Sequence, residues 1–283
     1  MTDTWHKEMS RFGYSVERCI GEGGFSKVYL IRELRTGQEF AGKVSSHLDM
    51  LRKEFEILQR IQHPMFPRAF DFWSFAGMAV MRMEYIHGIT LGSFSSCRQT
   101  PKQFGRGQTA FRQSVHGQGG LQAQILISIG IQLAEGMSYL QRLHPPLIYR
   151  DLKPENIMVQ KNGGMRLLDF GCALELGQHD FRTAGTPGFA APEQLEGREV
   201  GLSADVHGLG KTLEHILDKR DHSREAQRLR KILALCTQTD IEKRPPDMEA
   251  VLGLFKGRST KDYPRWKKNV REFEFKKITT VLE

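Results

Sequence analysis

Alternating apolar and polar residues dominate the first part of the chain, and helical periodicity takes over further on. Residues 12–20 and 27–32 read as strands, and after a turn at Arg35-Thr36-Gly37 a third strand follows over 38–44. Residues 49–61 place Leu51, Phe55 and Leu58 at the spacing of one helix face, with Asp49 as the N-cap. Residues 78–83 form another apolar strand, whereas 95–120 are rich in Gly, Gln, Ser and Arg without any sustained period and read as an insertion. From 121 to 143, apolar positions 125, 129, 133, 137 and 140 recur at helical spacing and predict a long buried helix. A short strand-like run covers 165–168, a later helix ends near Lys219, and another helical pattern begins at about Arg224. In the last part, Phe273 and Phe275 of REFEFKK fall on one side of an extended segment with charges on the other. That pattern predicts a tail that packs back onto the body, with partner binding as the alternative reading.

A length of 283 residues suffices for a substantial core of one or two domains. The net charge of +8 is concentrated: residues 98–122 carry +4 and residues 256–283 carry +5, leaving the remainder near neutral. The basicity therefore belongs to one insertion and one tail, and no specific nucleic-acid binding is expected. Cysteines at 19, 97, 172 and 236 show neither metal-ligand spacing nor disulfide-rich density, which suits a reducing compartment. No apolar run approaches the length of a membrane span, and a cytoplasmic location is expected.

The chemistry-bearing stretch is 147–171, LIYRDLKPENIMVQKNGGMRLLDFG. Asp151, Lys153 and Asn156 share one short loop, and Asp169 closes the apolar run that follows. One aspartate alone would read as a solvated loop; four such residues at fixed offsets between apolar runs point to chemistry. Near the start, GEGGFSKV sets glycines 21, 23 and 24 between two strands, where bare backbone can approach phosphate groups and donate amides to them. Ser26 stands where a third glycine would complete the GxGxxG pattern.

Together these motifs resemble the protein kinases, and the chain is identified as a member of the Hanks-type serine/threonine group, its APEQ wording similar to bacterial members. The resemblance implies an α+β bilobal protein-kinase fold: a small β-rich N-lobe with the αC helix (residues 49–61) and a larger, mainly helical C-lobe. It divides the chain into an N-terminal extension (1–11), a kinase domain (12–255, with lobes of about 12–86 and 87–255 and the insertion at about 95–120) and a basic aromatic tail (256–283). It implies ATP as cofactor with Mg2+, or Mn2+ as an alternative metal. Asp151 then orients the substrate hydroxyl and takes its proton, Lys153 meets the transferred phosphate, and Asn156 and Asp169 hold the metal. Lys43, in FAGK, pairs with the α and β phosphates and with Glu54, Glu56 being the neighbouring candidate. Gly21, Glu22, Gly23, Gly24, Phe25 and Ser26 form the phosphate loop. Val28 and Ala41 cover the adenine, Met83 is the gatekeeper, the backbone of Glu84 and Ile86 bonds the adenine, and Met158 completes the set.

Further matches are Thr186 as the threonine that contacts Asp151 and Lys153, Ala191-Pro192-Glu193 as the end of the activation segment, Arg244 as the partner of Glu193, and Asp205 as a buried structural acid. Arg150, just before Asp151, implies a phosphorylated activation segment, with Thr183 as the site of autophosphorylation. The expected partner is a protein substrate bearing a serine or threonine hydroxyl. Three departures stand out: Tyr149 replaces the family's histidine, Ala69 is small for its place in the hydrophobic spine, and the interval from Asp205 to Arg244 leaves no room for the family's αG helix. The alternative function is a nucleotide-binding pseudokinase that acts as a scaffold.

Overall fold

A computed structural model describes residues 2–75, 77–96, 121–178 and 184–257. Most of the insertion, from 97 to 120, the tail from 258 onward and Thr183 lie outside the described residues. The chain forms two compact units, the first holding residues up to His87 together with Arg166–Gly171, the second holding the rest.

The first unit is built on five antiparallel strands: β1 (Tyr14–Glu22), β2 (Lys27–Glu33), β3 (Glu39–Ser45), β4 (Ala69–Phe75) and β5 (Met78–Glu84), in the order β1-β2-β3-β5-β4. The first strand runs later than its predicted 12–20. Gly13, at φ 86°, ends a preceding helix, and Gly21 and Glu22 stay paired with Val28 and Lys27. Backbone pairing needs no side chain, so the glycine that reads as loop continues the strand.

Residues 1–11, read as an extension, contain helix α1 (Thr2–Arg11). Trp5 and Met9, four residues apart on one face, are 3 % and 0 % exposed. They form a cluster with Tyr14, Ile31, Phe40, Val44 and Val80, so the helix covers one face of the sheet. Ladder partners point to the same face: Lys43 pairs with Val28 and Met81, and Ala41 with Leu30 and Met83. These residues alternate with the cluster, which leaves the opposite face of the sheet to the polar machinery.

Helix α2 (Leu48–Arg60) buries Leu51, Glu54, Ile57 and Leu58, while Phe55 is only partly covered and packs beside Phe72. Asp49 is not its N-cap. The helix starts one residue earlier, its cap position is His47, and Asp49 sits in the first turn, where its charge complements the helix dipole. Ala69 is buried, and its carbonyl accepts a hydrogen bond from Gln59 Nε2 at 2.6 Å, so the small residue still ties β4 to α2.

The second unit opens with β6 (Ile89–Thr90) and α3 (Leu91–Ser96) and centres on α4 (Leu121–Gln141). Ile129, Leu133, Met137 and Leu140 are buried as their spacing predicts, whereas Ile125 is half-buried. Burial extends round the whole helix at 126–131, as in a helix enclosed by its neighbours. Gly130 permits one such neighbour, because a Cβ there would lie 2.5 Å from Cζ of Phe255.

Short strands β7 (Leu147–Ile148), β8 (Ile157–Val159), β9 (Met165–Leu167) and β10 (Leu174–Glu175) flank the loop of interest. They are followed by α5 (Pro192–Leu195), α6 (Ser203–Ile216), α7 (Arg224–Cys236) and α8 (Met248–Lys256). Helix α6 ends at Ile216 rather than near Lys219. There the backbone is drawn out of the helical path: the Asp218 amide donates to Gln122 Oε1, and the carbonyls of Asp218 and Lys219 accept from Arg230. Ser223 then caps α7 through the Ala226 amide, so seven residues separate the two helices and none of them is helical.

Candidate active site

In the first unit, the lysine of β3 meets an acid from α2 and the aspartate that follows β9. Lys43 Nζ lies 2.7 Å from both Glu54 carboxylate oxygens and 2.8 Å from Asp169 Oδ1. Lys43 and Glu54 are 4 % and 3 % exposed, whereas Glu56 is exposed, which selects between the two candidates. Burial opposes the charge on Lys43, but the carboxylates of Glu54 and Asp169 together outweigh it and hold its pKa above the ordinary lysine value. Glu54 Oε1 also accepts the Phe170 amide at 3.1 Å, and Phe170 is seated edge-on against Phe66. Asp169 itself sits at φ 56°, a conformation costly for a residue other than glycine, with the Gly171 amide donating to its Oδ1.

The glycine-rich turn is braced by the Gly23 amide on the Ser26 carbonyl and by Ser45 Oγ on the Phe25 carbonyl. Phe25 is 64 % exposed, and a Cβ on Gly24 would meet nothing within 4 Å. Packing therefore does not require glycine there, and the Gly24 backbone lies open to solvent. Val28, Ala41 and Met83 share the sheet face of Lys43 by register, and Ile86 is buried just beyond β5. The Glu84 amide donates to the Arg68 carbonyl at 2.8 Å. The Glu84 carboxylate, opposed by burial but bonded by Arg166 at 2.6 Å, is held below the usual carboxylate range.

In the second unit, Asp151 lies 9 % exposed at the centre of a polar cluster. Its Oδ1 accepts Thr186 Oγ1 at 2.7 Å, and its Oδ2 accepts Lys153 Nζ at 2.8 Å and Asn156 Nδ2 at 2.9 Å. Lys153 also donates to Thr186 Oγ1 at 2.7 Å, so one lysine and one threonine fix both carboxylate oxygens. Met158 is half-buried on β8 and pairs with Thr90.

The loop is strung onto α6. Asp205 accepts the amides of Tyr149 at 2.9 Å and Arg150 at 2.8 Å, and burial pushes its carboxyl up to about 6 despite those bonds. Thr212 Oγ1, two turns further along that helix, donates to the Leu152 carbonyl at 2.9 Å. Sequence reasoning missed Thr212; its seven-residue offset from Asp205 was the available signal. Arg150 sits at φ 67° and its Nε donates to the Cys172 carbonyl at 2.6 Å, while Tyr149 is fully buried. Among the described non-glycine residues, Arg150 and Asp169 alone have positive φ, and both belong to the predicted machinery. Glu193 and Arg244 pair at 2.7 and 3.2 Å with both side chains 0 % exposed, as their motifs predict.

The sequence profile described as Protein kinase domain matches residues 14–274. Putative serine/threonine-protein kinase PRKY of Homo sapiens is 30 % identical over 70 % of this chain and 68 % of its own length. The human cAMP-dependent protein kinase catalytic subunit PRKX is 31 % identical over 68 % of this chain and 49 % of itself. Serine/threonine-protein kinase PknB of Mycolicibacterium smegmatis is 28 % identical over 72 % of this chain and 32 % of itself. The matched stretch thus spans from about a third to about two thirds of these relatives. The chain belongs to the protein kinase family, in its serine/threonine branch, a family of ATP-dependent phosphotransferases that use Mg2+ and act on proteins. Among the described residues, no helix is long and apolar enough to cross a membrane.

Proposed function

We propose that this chain transfers the γ-phosphoryl group of ATP to a serine or threonine hydroxyl of a protein in the cytoplasm, with Asp151 as the base. The observation that carries the reading is the Asp151 carboxylate, nearly buried yet bonded by a lysine, a threonine and an asparagine. An acceptor so constrained can align an incoming hydroxyl and take its proton as the oxygen–phosphorus bond forms. Lys153 faces the phosphoryl oxygens, and Thr186 holds Asp151 in place until substrate arrives. Lys43, kept protonated and anchored by Glu54, offers a fixed cation to the α and β phosphates. The turn at 21–26 covers those phosphates, and Val28, Ala41, Met83, Glu84, Ile86 and Met158 hold the adenine.

The donors present fit Mg2+. Asn156 uses its Nδ2 on Asp151 and would have its amide oxygen for the cation, and Asp169 would offer a carboxylate on a side chain 45 % exposed. When bound, the ion supplies neutralisation of charge on the transferring group. Autophosphorylation at Thr183, with Arg150 as the guanidinium that would receive the phosphate, is part of the same proposal.

Incubation with labelled ATP and Mg2+, followed by phosphosite mapping, tests the reading. Asp151→Asn should lose about a thousandfold or more of kcat with nucleotide affinity retained, the general-base contribution being about that size. Asp169→Ala should lose the Mg2+-dependent part of nucleotide binding in calorimetry. Full transfer by Asp151→Asn overturns the assignment.

A further inference from the structure

Gln194 directly follows Ala191-Pro192-Glu193, and none of the family motifs above gives it a role. It is 3 % exposed, and its amide is engaged on both sides. Nε2 donates to the Arg150 carbonyl at 2.8 Å and to the Ala184 carbonyl at 3.2 Å, while Oε1 accepts the Ala191 amide at 3.1 Å. One side chain therefore joins the residue before Asp151, the residue two before Thr186, and the turn that carries Glu193.

The joint is built tightly. Gly185, at φ 103°, lies so close that a Cβ there would stand 3.0 Å from both the Arg150 carbonyl oxygen and Gln194 Nε2. Arg150 is strained at φ 67°, and such a conformation persists only where the surroundings over-determine it. Its amide is held by Asp205 and its carbonyl by Gln194, so the peptide group leading into Asp151 is fixed from this side by Gln194. A primary amide suits the task because one nitrogen carries two diverging donors, one for each carbonyl.

We infer that Gln194 is a positioning residue for phosphoryl transfer: it aims Asp151 through the Arg150 carbonyl, and it makes that aim conditional on the stretch from Ala184 to Thr186 being in place. The inference rests on the reading of Asp151 as the base. The same amide that fixes the loop reads the position of the segment carrying Thr186, whose hydroxyl bonds Asp151 directly. Displacing that segment removes one acceptor from Nε2 and frees Gln194 to leave the other.

The test compares Gln194→Met and Gln194→Glu with the parent chain and with Asp151→Asn, with nucleotide binding and melting temperature measured for each. Methionine keeps the length and removes the donors. Glutamate keeps the shape and the acceptor but sets an oxygen against two carbonyl oxygens. A folded Gln194→Met should lose about tenfold to a hundredfold in kcat, the penalty of a misplaced reacting group, with nucleotide affinity and peptide KM unchanged. Gln194→Glu should be impaired at about pH 8 and recover relative to the parent towards about pH 6, because a protonated carboxyl regains one donor. Even if the methionine variant folds poorly, this pH profile reports on the same contact. Parental kcat in folded Gln194→Met, or a Gln194→Glu to parent ratio independent of pH, overturns the inference while an inactive Asp151→Asn leaves the base assignment standing. Retained transfer in Asp151→Asn overturns both.

Discussion

Replacing Glu54 by glutamine removes one charge from a buried site while keeping its volume, and the structure allows the effect to be bounded. In the parent, Lys43 Nζ has both Glu54 oxygens at 2.7 Å and Asp169 Oδ1 at 2.8 Å, and Glu54 also accepts the Phe170 amide. Breaking a buried ion pair outright costs about 3–5 kcal/mol. Here Asp169 remains as counter-charge and the glutamine oxygen still accepts one bond, so the loss is nearer that of a charged hydrogen bond, about 1–3 kcal/mol. For a domain of this size that corresponds to a fall in Tm of about 2–10 °C. Lys43 has a raised pKa, so its ion-pair stability is fully present below the unfolded lysine value of about 10.4 and is lost only as pH rises through the higher folded value. Lys43 therefore adds no pH dependence to the difference between Glu54→Gln and parent across neutral pH, whereas burial raises the Glu54 carboxyl, so the parent's advantage declines as pH rises from the unfolded carboxylate value through that raised one. With Lys43 tethered from one side only, kcat/KM for ATP should fall by about tenfold to a hundredfold, from misplacement of the cation. Calorimetry at several pH values and steady-state kinetics with varied ATP measure both effects, and the exposed Glu56→Gln serves as control. Parental Tm together with parental kcat/KM in Glu54→Gln would refute the reasoning.

Glu193→Ala should cost about 3–5 kcal/mol in denaturant unfolding, because it leaves the Arg244 guanidinium, 0 % exposed, without its counter-charge. Asp205, with a folded pKa of about 6, favours the folded state most below its unfolded value of about 3.9 and loses that contribution as pH rises through 6. Parent stability should accordingly decline by about 3 kcal/mol relative to Asp205→Asn between about pH 4 and 7; a constant difference over that range contradicts the assignment. Trp5→Ala should destabilise by about 3–5 kcal/mol as a buried aromatic truncation, and unchanged melting would show that α1 does not hold the sheet.

Much of this chain is legible in the order of its residues. The periods of β2, β3, α2 and α4 come from alternation and helical spacing, which each segment must obey to bury one side. The ordered motifs at 21–26, 43, 151–156, 169 and 191–193 come from a chemistry that tolerates few residue types. Local pattern is less informative at the joints. Asp49 has the right type for an N-cap, but the turn before α2 places the cap at His47. Trp5 and Met9 are too few to declare a helix alone; the sheet face of Ile31, Phe40 and Val44 supplies the rest of their core. Residue order already favoured Glu54 over its neighbour Glu56, and the tertiary structure adds the reason, since both lie on one helix and burial brings Glu54 to Lys43. The tertiary structure alone showed the strain at Arg150 and Asp169 and the roles of Thr212 and Gln194. A side chain that holds a backbone carbonyl far along the chain leaves no periodicity in its own neighbourhood, because its partner is a peptide group that every residue carries.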